Sequence, residues 1–370
     1  MVYNLLMKIL IAPFIARPKA GSAYHITRTL SDLFSQRQHA IAVSASPKNS
    51  IASASLFEAA VPKKPLFFLH DQYSYEEWLY GWGASSEEYL EQDIACIEEA
   101  ITQFRPDLII VIDRIAALIA ARKRKIPSLC IVNTSMYRNS AFPVKILQPA
   151  NRILSAAGLE QVFRISDLYN YASERAVFGA IQLQPVPADI DVKRFGTVSY
   201  IKPLSEDPKD VYISFSAMHK KSTALKKMII ETFKGAPYQV NASIADTEAE
   251  KVQNIHFLSV HRDDLMRNAA AVIHDGSDYI CDICCSCAIP QLIITDHNYG
   301  RTANALAARR YGFGVMCDEN EMSVASLYEN YRRLISSDRF RENAEMIRDE
   351  VISLGDFEDF YRFVLSQFRK

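Results

Sequence analysis

VIHDGSDYICDICCSCAIPQLII, residues 272–294, reads in order as the end of a strand, a turn, a helix and a second strand. A strand over 270–274 ends at Ile273–His274, Gly276 follows, then a helix, and 291–295 is apolar enough for the next buried strand. A strand–turn–helix junction of this kind aims backbone N–H groups and the positive end of a helix at one place, where an anion such as a pyrophosphate can sit. His274, at the C-terminal edge of the strand, can donate to the same anion. From these residues alone, a plain strand–turn–helix with a structural histidine fits equally.

The same alternation runs outward on both sides. Downstream, a helix over 302–310 and a short strand over 313–316 precede helices that run to the end. Upstream, 211–215 is a strand and 223–233 a helix. An earlier series comprises a strand over 7–15, an amphipathic helix over 24–36, and short apolar runs at 40–44 and 66–69. It continues with a helix over 85–104, in which Leu90, Ile94, Ile97 and Ile101 keep the helical period. A strand over 107–112, a helix over 116–124 and a strand over 128–132 follow. Strands alternating with helices predict right-handed crossovers and open, doubly wound sheets. Between the two series, 185–210 gathers Pro185, Pro187, Pro203 and Pro208 with many charges, as an interdomain linker would. The expectation is an α/β protein of two tandem Rossmann-like domains, 1–200 and 201–355, with a terminal helix at 356–370 that returns to the first.

Composition narrows the function classes. The 370 residues carry 42 basic and 43 acidic side chains, a net charge of −1, against a protein built around nucleic-acid phosphates. A hydrophobic content of 49% allows a large core and excludes wholesale disorder. Glycine is scarce, 12 of 370 residues, about 3% against a usual ~7%, so any phosphate loop must run on few glycines. The 7 cysteines are odd in number and bunched, unlike a secreted disulfide framework. The N-terminal apolar run is bracketed by Lys8 and Arg17, too short for a membrane span and without a basic leader. A cytoplasmic protein is expected.

Four landmarks in the second half resemble the GT-B glycosyltransferases related to the UDP-glycosyltransferases. VYISFSA (211–217) matches the strand that opens that family's C-terminal domain, and 272–294 matches its "HHGG…E…GVPQ" segment in order and length. TANALAARRYGFG (302–314) resembles the helix that follows, and YIKPL (200–204) the piece that ends the N-terminal domain. The resemblance implies an interdomain cleft, a C-terminal domain that binds a nucleotide-diphosphate sugar and an N-terminal domain that binds an acceptor. The donor residues it implies are Ser216, His274, Gly276, Ser277, Asp278, Asp282, Asp296, Arg301 and Asn304. The pattern departs from the family at several points. Asp275 stands for the second histidine, Ser277 for the second glycine, Ile283 for the ribose-binding glutamate, and Gly300–Arg301 for the acidic–glutamine pair. The base-stacking indole is replaced near Leu258.

In the first half, the family places a base histidine at the start of the first helix and pairs it with an aspartate at the end of a later strand. His25 and Asp113 occupy those places. C-terminal strand ends share one edge of a doubly wound sheet, so the carboxylate can hold the imidazole tautomer and stabilise the imidazolium. The segment 71–89 carries Tyr75, Trp78 and Trp82, which the resemblance turns toward an acceptor. In CDICCSC (281–287), one helix cannot readily wrap tetrahedral zinc, and buried free thiols are expected.

These readings together predict inverting transfer of a sugar from a nucleotide-diphosphate sugar to the hydroxyl of a small-molecule or glycolipid acceptor, with no metal and no further cofactor. Two alternatives stay open: a non-catalytic subunit partnering another glycosyltransferase, and a nucleotide-sugar hydrolase or epimerase. A homo-oligomer is compatible with either.

Overall fold

The computed structural model describes residues 6–16, 21–63, 74–138, 143–197, 208–216, 218, 220–296 and 298–369. The strand expected at 66–69 and the landmark at 200–204 lie outside the described residues. The chain divides into two compact units, one of Met1–Phe178, Gln184–Val198 and Phe357–Lys370, the other of Gly179–Leu183 and Ser199–Asp356.

The first unit is built on a parallel sheet of β1 (Lys8–Pro13), β2 (Ala40–Ala45), β3 (Ser55–Glu58), β4 (Leu108–Ile112), β5 (Ser128–Val132), β6 (Glu174–Phe178) and β7 (Lys193–Phe195). Their order is β3-β2-β1-β4-β5-β6-β7. The order reverses between β1 and β4, where Pro13 pairs with Ile112. β4 and β5 are buried on both faces, which is why LIIVI and SLCIV read as nearly unbroken apolar runs. One face of the sheet packs Leu30, Leu33 and Phe34 of the helix Ser22–Gln36 together with Phe357, Phe360 and Val364 of the last helix, Phe357–Phe368. Phe360 packs edge-on to Phe195 of β7 at 5.3 Å, so the terminal helix belongs to this core. β7 also corrects the reading of 185–210 as linker. Lys193–Phe195 pairs with Ala176–Phe178 as an edge strand, and three residues are too few to show a period.

The second unit repeats the scheme with β8 (Val211–Phe215), β9 (Val240–Ile244), β10 (Glu250–Val252), β11 (Ile255–Leu258), β12 (Ala271–His274), β13 (Gln291–Thr295) and β14 (Gly314–Asp318). The order is β10-β11-β9-β8-β12-β13-β14, parallel except for β10, which runs antiparallel to β11 at the edge. Here the order reverses between β8 and β12, with Ser214 beside His274. Open α/β sheets bind ligands outside the carboxyl ends of their strands at such reversals. Each unit has one. Among the described residues, no helix is long and apolar enough to cross a membrane.

Candidate functional site

In the second unit, the reversal is lined by three linked sets of side chains. The first holds the turn after β12. His274 is fully buried; its Nδ1 accepts from the Gly276 N–H at 3.1 Å, and its Nε2 lies 3.0 Å from Gln291 Oε1. Accepting at Nδ1 requires the proton on Nε2, which therefore donates to Gln291. Both ring nitrogens thus have protein partners, and the histidine that the sequence offers as an anion donor serves the loop from within. Burial pulls its pKa down to about 4, against the opposing pull of Asp275 and Gln291. The unfolded chain therefore binds the extra proton between about pH 4 and 6.5, and stability is lost as pH falls through that window. The expected loss is about 3 kcal/mol over the whole window, of which about 2 kcal/mol is reached by pH 4.5. Urea unfolding at pH 7 and pH 4.5 measures it, and His274→Gln should shrink the difference.

The second set surrounds the end of β8. Asp275, 1% exposed, accepts on Oδ2 from the Ser216 N–H at 2.9 Å and from the Ser216 hydroxyl at 2.7 Å. Arg301 Nη1 lies 3.8 Å from the same oxygen and donates to Asp296 Oδ2 at 2.8 Å. Burial alone would raise the Asp275 carboxyl, but Arg301 and then the two Ser216 donors hold it below the usual range. Arg301 enters by a capped helix, Tyr299–Arg310, whose Asn298 side chain accepts from the N–H groups of Gly300 and Arg301.

The third set ties the Gly276 turn to that helix. Asn304 Nδ2 donates to the Gly276 carbonyl at 3.0 Å and to Asp278 Oδ1 at 2.7 Å. Burial raises the Asp278 carboxyl, opposed by Asn304 and Arg301. Ser277 caps the helix Asp278–Ser286 by accepting from the Ile280 N–H. Gly276 has φ +81°, and a Cβ there would stand 3.0 Å from both the Arg301 carbonyl and Ile293 Cγ2. Glycine is required by backbone and space alike. A branched residue at 276 would therefore strain the fold before it tested any ligand. Asp282 sits one turn further along the same helix, half-buried.

The four cysteines of 281–287 are buried, on two faces of their helix. Cys281 and Cys285 pack with Ala305 and Phe313, while Cys284 and Cys287 pack with Tyr212 and Ile289. Burial raises these thiols, so they stay protonated. Among the described residues, no group of three or more His, Cys, Asp or Glu is placed to hold a metal ion.

In the first unit, His25 lies in the first turns of the helix that follows β1, half-buried, edge-on to Tyr24 at 5.7 Å. Asp113 follows β4 directly, with φ +55°. β1 and β4 are the strands flanking the reversal, so the two residues come from the elements on either side of it. Tyr75 donates its hydroxyl to the Asp113 carbonyl at 2.9 Å and stacks on Trp78 at 5.6 Å. Trp78 in turn meets Phe14, just past β1, edge-on at 5.3 Å. Tyr75 is only 3% exposed, so it braces the Asp113 turn rather than offering an open face. Trp78 and Trp82 are half-buried and keep part of their surface open.

The sequence reading passes over the group that anchors this turn. Arg114 donates from Nε and Nη2 to the two oxygens of Asp93, at 2.8 and 2.6 Å, and from Nη1 to the Ser44 carbonyl at 2.6 Å. Tyr89 donates to Asp93 Oδ2 at 3.1 Å. The available signal was an aspartate at position 93 on the apolar face of the helix Glu87–Phe104, among Leu90, Ile94 and Ile97.

Residues 228–356 match the family model described as erythromycin biosynthesis protein CIII-like, C-terminal domain. No curated protein matches the chain in sequence. Among solved structures, CalG4, the calicheamicin glycosyltransferase, superposes with a TM-score of 0.75 at 14% identity, over 99% of this chain and 100% of that one. The glycosyltransferase VinC in complex with dTDP gives 0.70 at 14% identity, over 97% and 99%. Spinosyn rhamnosyltransferase SpnG, complexed with spinosyn aglycone, gives 0.70 at 12% identity, over 97% and 100%. The chain shares the fold of these solved structures along nearly its whole length, and its residues 228–356 match the model of the erythromycin biosynthesis protein CIII-like C-terminal domain.

Proposed function

We propose that the protein transfers a sugar from a nucleotide-diphosphate sugar to an acceptor hydroxyl, with inversion at the anomeric carbon and no cofactor beyond the co-substrate. The observation that carries this reading is the pairing of two reversal points with the right chemistry at each. In the first unit, His25 and Asp113 come from the elements flanking the reversal. The imidazole of His25 takes the acceptor proton as the oxygen attacks, and the Asp113 carboxylate stabilises the imidazolium that results. In the second unit, the turn at Gly276, the capped helix behind Ser277 and the hydroxyl of Ser216 supply donors for a leaving diphosphate. VinC was solved with dTDP and SpnG with an aglycone, which supports a nucleoside diphosphate and a small-molecule acceptor as the first ligands to try.

The test is direct. The full chain is incubated with dTDP- and UDP-sugars and a panel of polyketide-like and phenolic acceptors, and free nucleoside diphosphate and glycosylated acceptor are followed by mass spectrometry. Product formation with inverted anomeric configuration supports the reading. Release of free sugar with no acceptor dependence would move it to a hydrolase.

A further inference from the structure

The donors at the end of β8 are already engaged by the chain itself. Ser216 presents its N–H and its hydroxyl to a single oxygen, Oδ2 of Asp275, at 2.9 and 2.7 Å. That oxygen is also the one that faces Arg301, at 3.8 Å. Two convergent donors and a guanidinium around one anionic oxygen are what a phosphate oxygen would need in the same place. Ser216 is exposed while Asp275 is 1% exposed, so the carboxylate closes the inner side of a position whose outer side is open. The position lies at the β8/β12 reversal, where a ligand of a doubly wound sheet binds.

We propose that Asp275 is a built-in occupant of the anion position at Ser216, and that a nucleoside diphosphate enters by displacing its carboxylate from Ser216 toward Arg301. This rests on the donor site assigned to the second unit above. Arg301 makes the exchange feasible. It donates to Asp296 at 2.8 Å and stands farther from Asp275, so the displaced carboxylate has a nearby cation to turn to. The cost is repulsion, because a carboxylate remains beside the incoming diphosphate in a partly screened site. Asp275 is thereby a specificity-determining residue that weakens the hold on any diphosphate and makes binding depend on contacts to the rest of the ligand.

Calorimetry on the full chain tests this with two probes, inorganic pyrophosphate and dTDP, against the parent, Asp275→Asn and Asp275→Ala. A thermal melt first checks that each variant folds, and either one suffices. The expected result is pyrophosphate binding about 10- to 100-fold tighter in the variants than in the parent. Equal pyrophosphate affinity in parent and variants overturns the inference, even if dTDP binds all of them and the donor reading survives. A gain for pyrophosphate with no dTDP binding in any protein keeps the inference and removes the donor reading. If neither variant folds, the Ser216 amide resonance of the parent decides. It should shift on adding pyrophosphate, as its acceptor changes from carboxylate to phosphate, and an unmoved resonance overturns the inference.

Discussion

His25→Ala lowers sugar transfer by about 10²–10⁴-fold, the usual worth of a positioned general base, while nucleoside diphosphate affinity stays at the parent value. The separation follows from where the residues lie. His25 belongs to the helix Ser22–Gln36 of the first unit, whereas Ser216, Asp275, Gly276 and Arg301 belong to the second. In the proposed mechanism the imidazole acts only when the acceptor oxygen attacks, so the loss should fall on kcat and leave donor binding alone. The helix keeps its packing, because its buried contacts come from Leu30, Leu33 and Phe34 rather than from position 25. Measurement of kcat, KM and dTDP affinity for parent and variant checks all three statements. Parent-level transfer by His25→Ala on a confirmed acceptor would remove the histidine from the mechanism.

Arg114→Met destabilises the first unit by about 3–5 kcal/mol, the cost of leaving a buried charge without its partner. Asp93 is fully buried, and both of its oxygens are bonded to Arg114. With the guanidinium gone, Asp93 keeps Tyr89 and the Ala60 N–H as its donors among the described residues. The double variant Asp93→Leu/Arg114→Met should recover most of the loss, since apolar groups of similar volume often replace a buried pair without penalty. Urea unfolding of the two single variants and the double variant reads the coupling directly. A single variant that costs less than about 1 kcal/mol would mean that the pair is solvated and does not anchor the Asp113 turn.

Much of the fold was legible because the central strands are buried on both faces. VYISF, SLCIV and QLIIT stand out as continuous apolar runs, and each forms a strand over the residues read. The strands that went unread are short or polar. SLFE and IHFL are four residues long, ERAVF and KRF lie at one edge of the first sheet, VNASI carries Asn241 and Ser243, and EKV forms the antiparallel edge of the second. The helix Pro143–Ala156 has Pro149 inside it, which interrupts the signal that marks a helix.

The site was legible as a set of positions and less so as a set of contacts. The family resemblance placed Ser216, Gly276, Asp278, Arg301 and Asn304 together, and the structure links them through side-chain and backbone bonds. No spacing rule could show that the carboxylate of Asp275 would take both Ser216 donors, because that depends on strands β8 and β12 lying side by side. The inward turn of His274 was equally invisible. Its partners are a backbone N–H two residues on and a glutamine on the next strand. The Asp93–Arg114 pair joins a helix to the turn after β4 across 21 residues, beyond the reach of helical periodicity.

Binding of a donor's nucleoside diphosphate by the second unit would stabilise the protein, and a ligand-dependent melt reads that stabilisation. The full chain is melted with dTDP, UDP and GDP, each titrated from micromolar to millimolar. At a concentration ~100 times its dissociation constant, the bound nucleotide should stabilise the protein by about 2.7 kcal/mol. At least one of the three should raise the melting temperature in a saturable way, whereas a flat response to all three leaves a GT-B-shaped partner subunit as the better description.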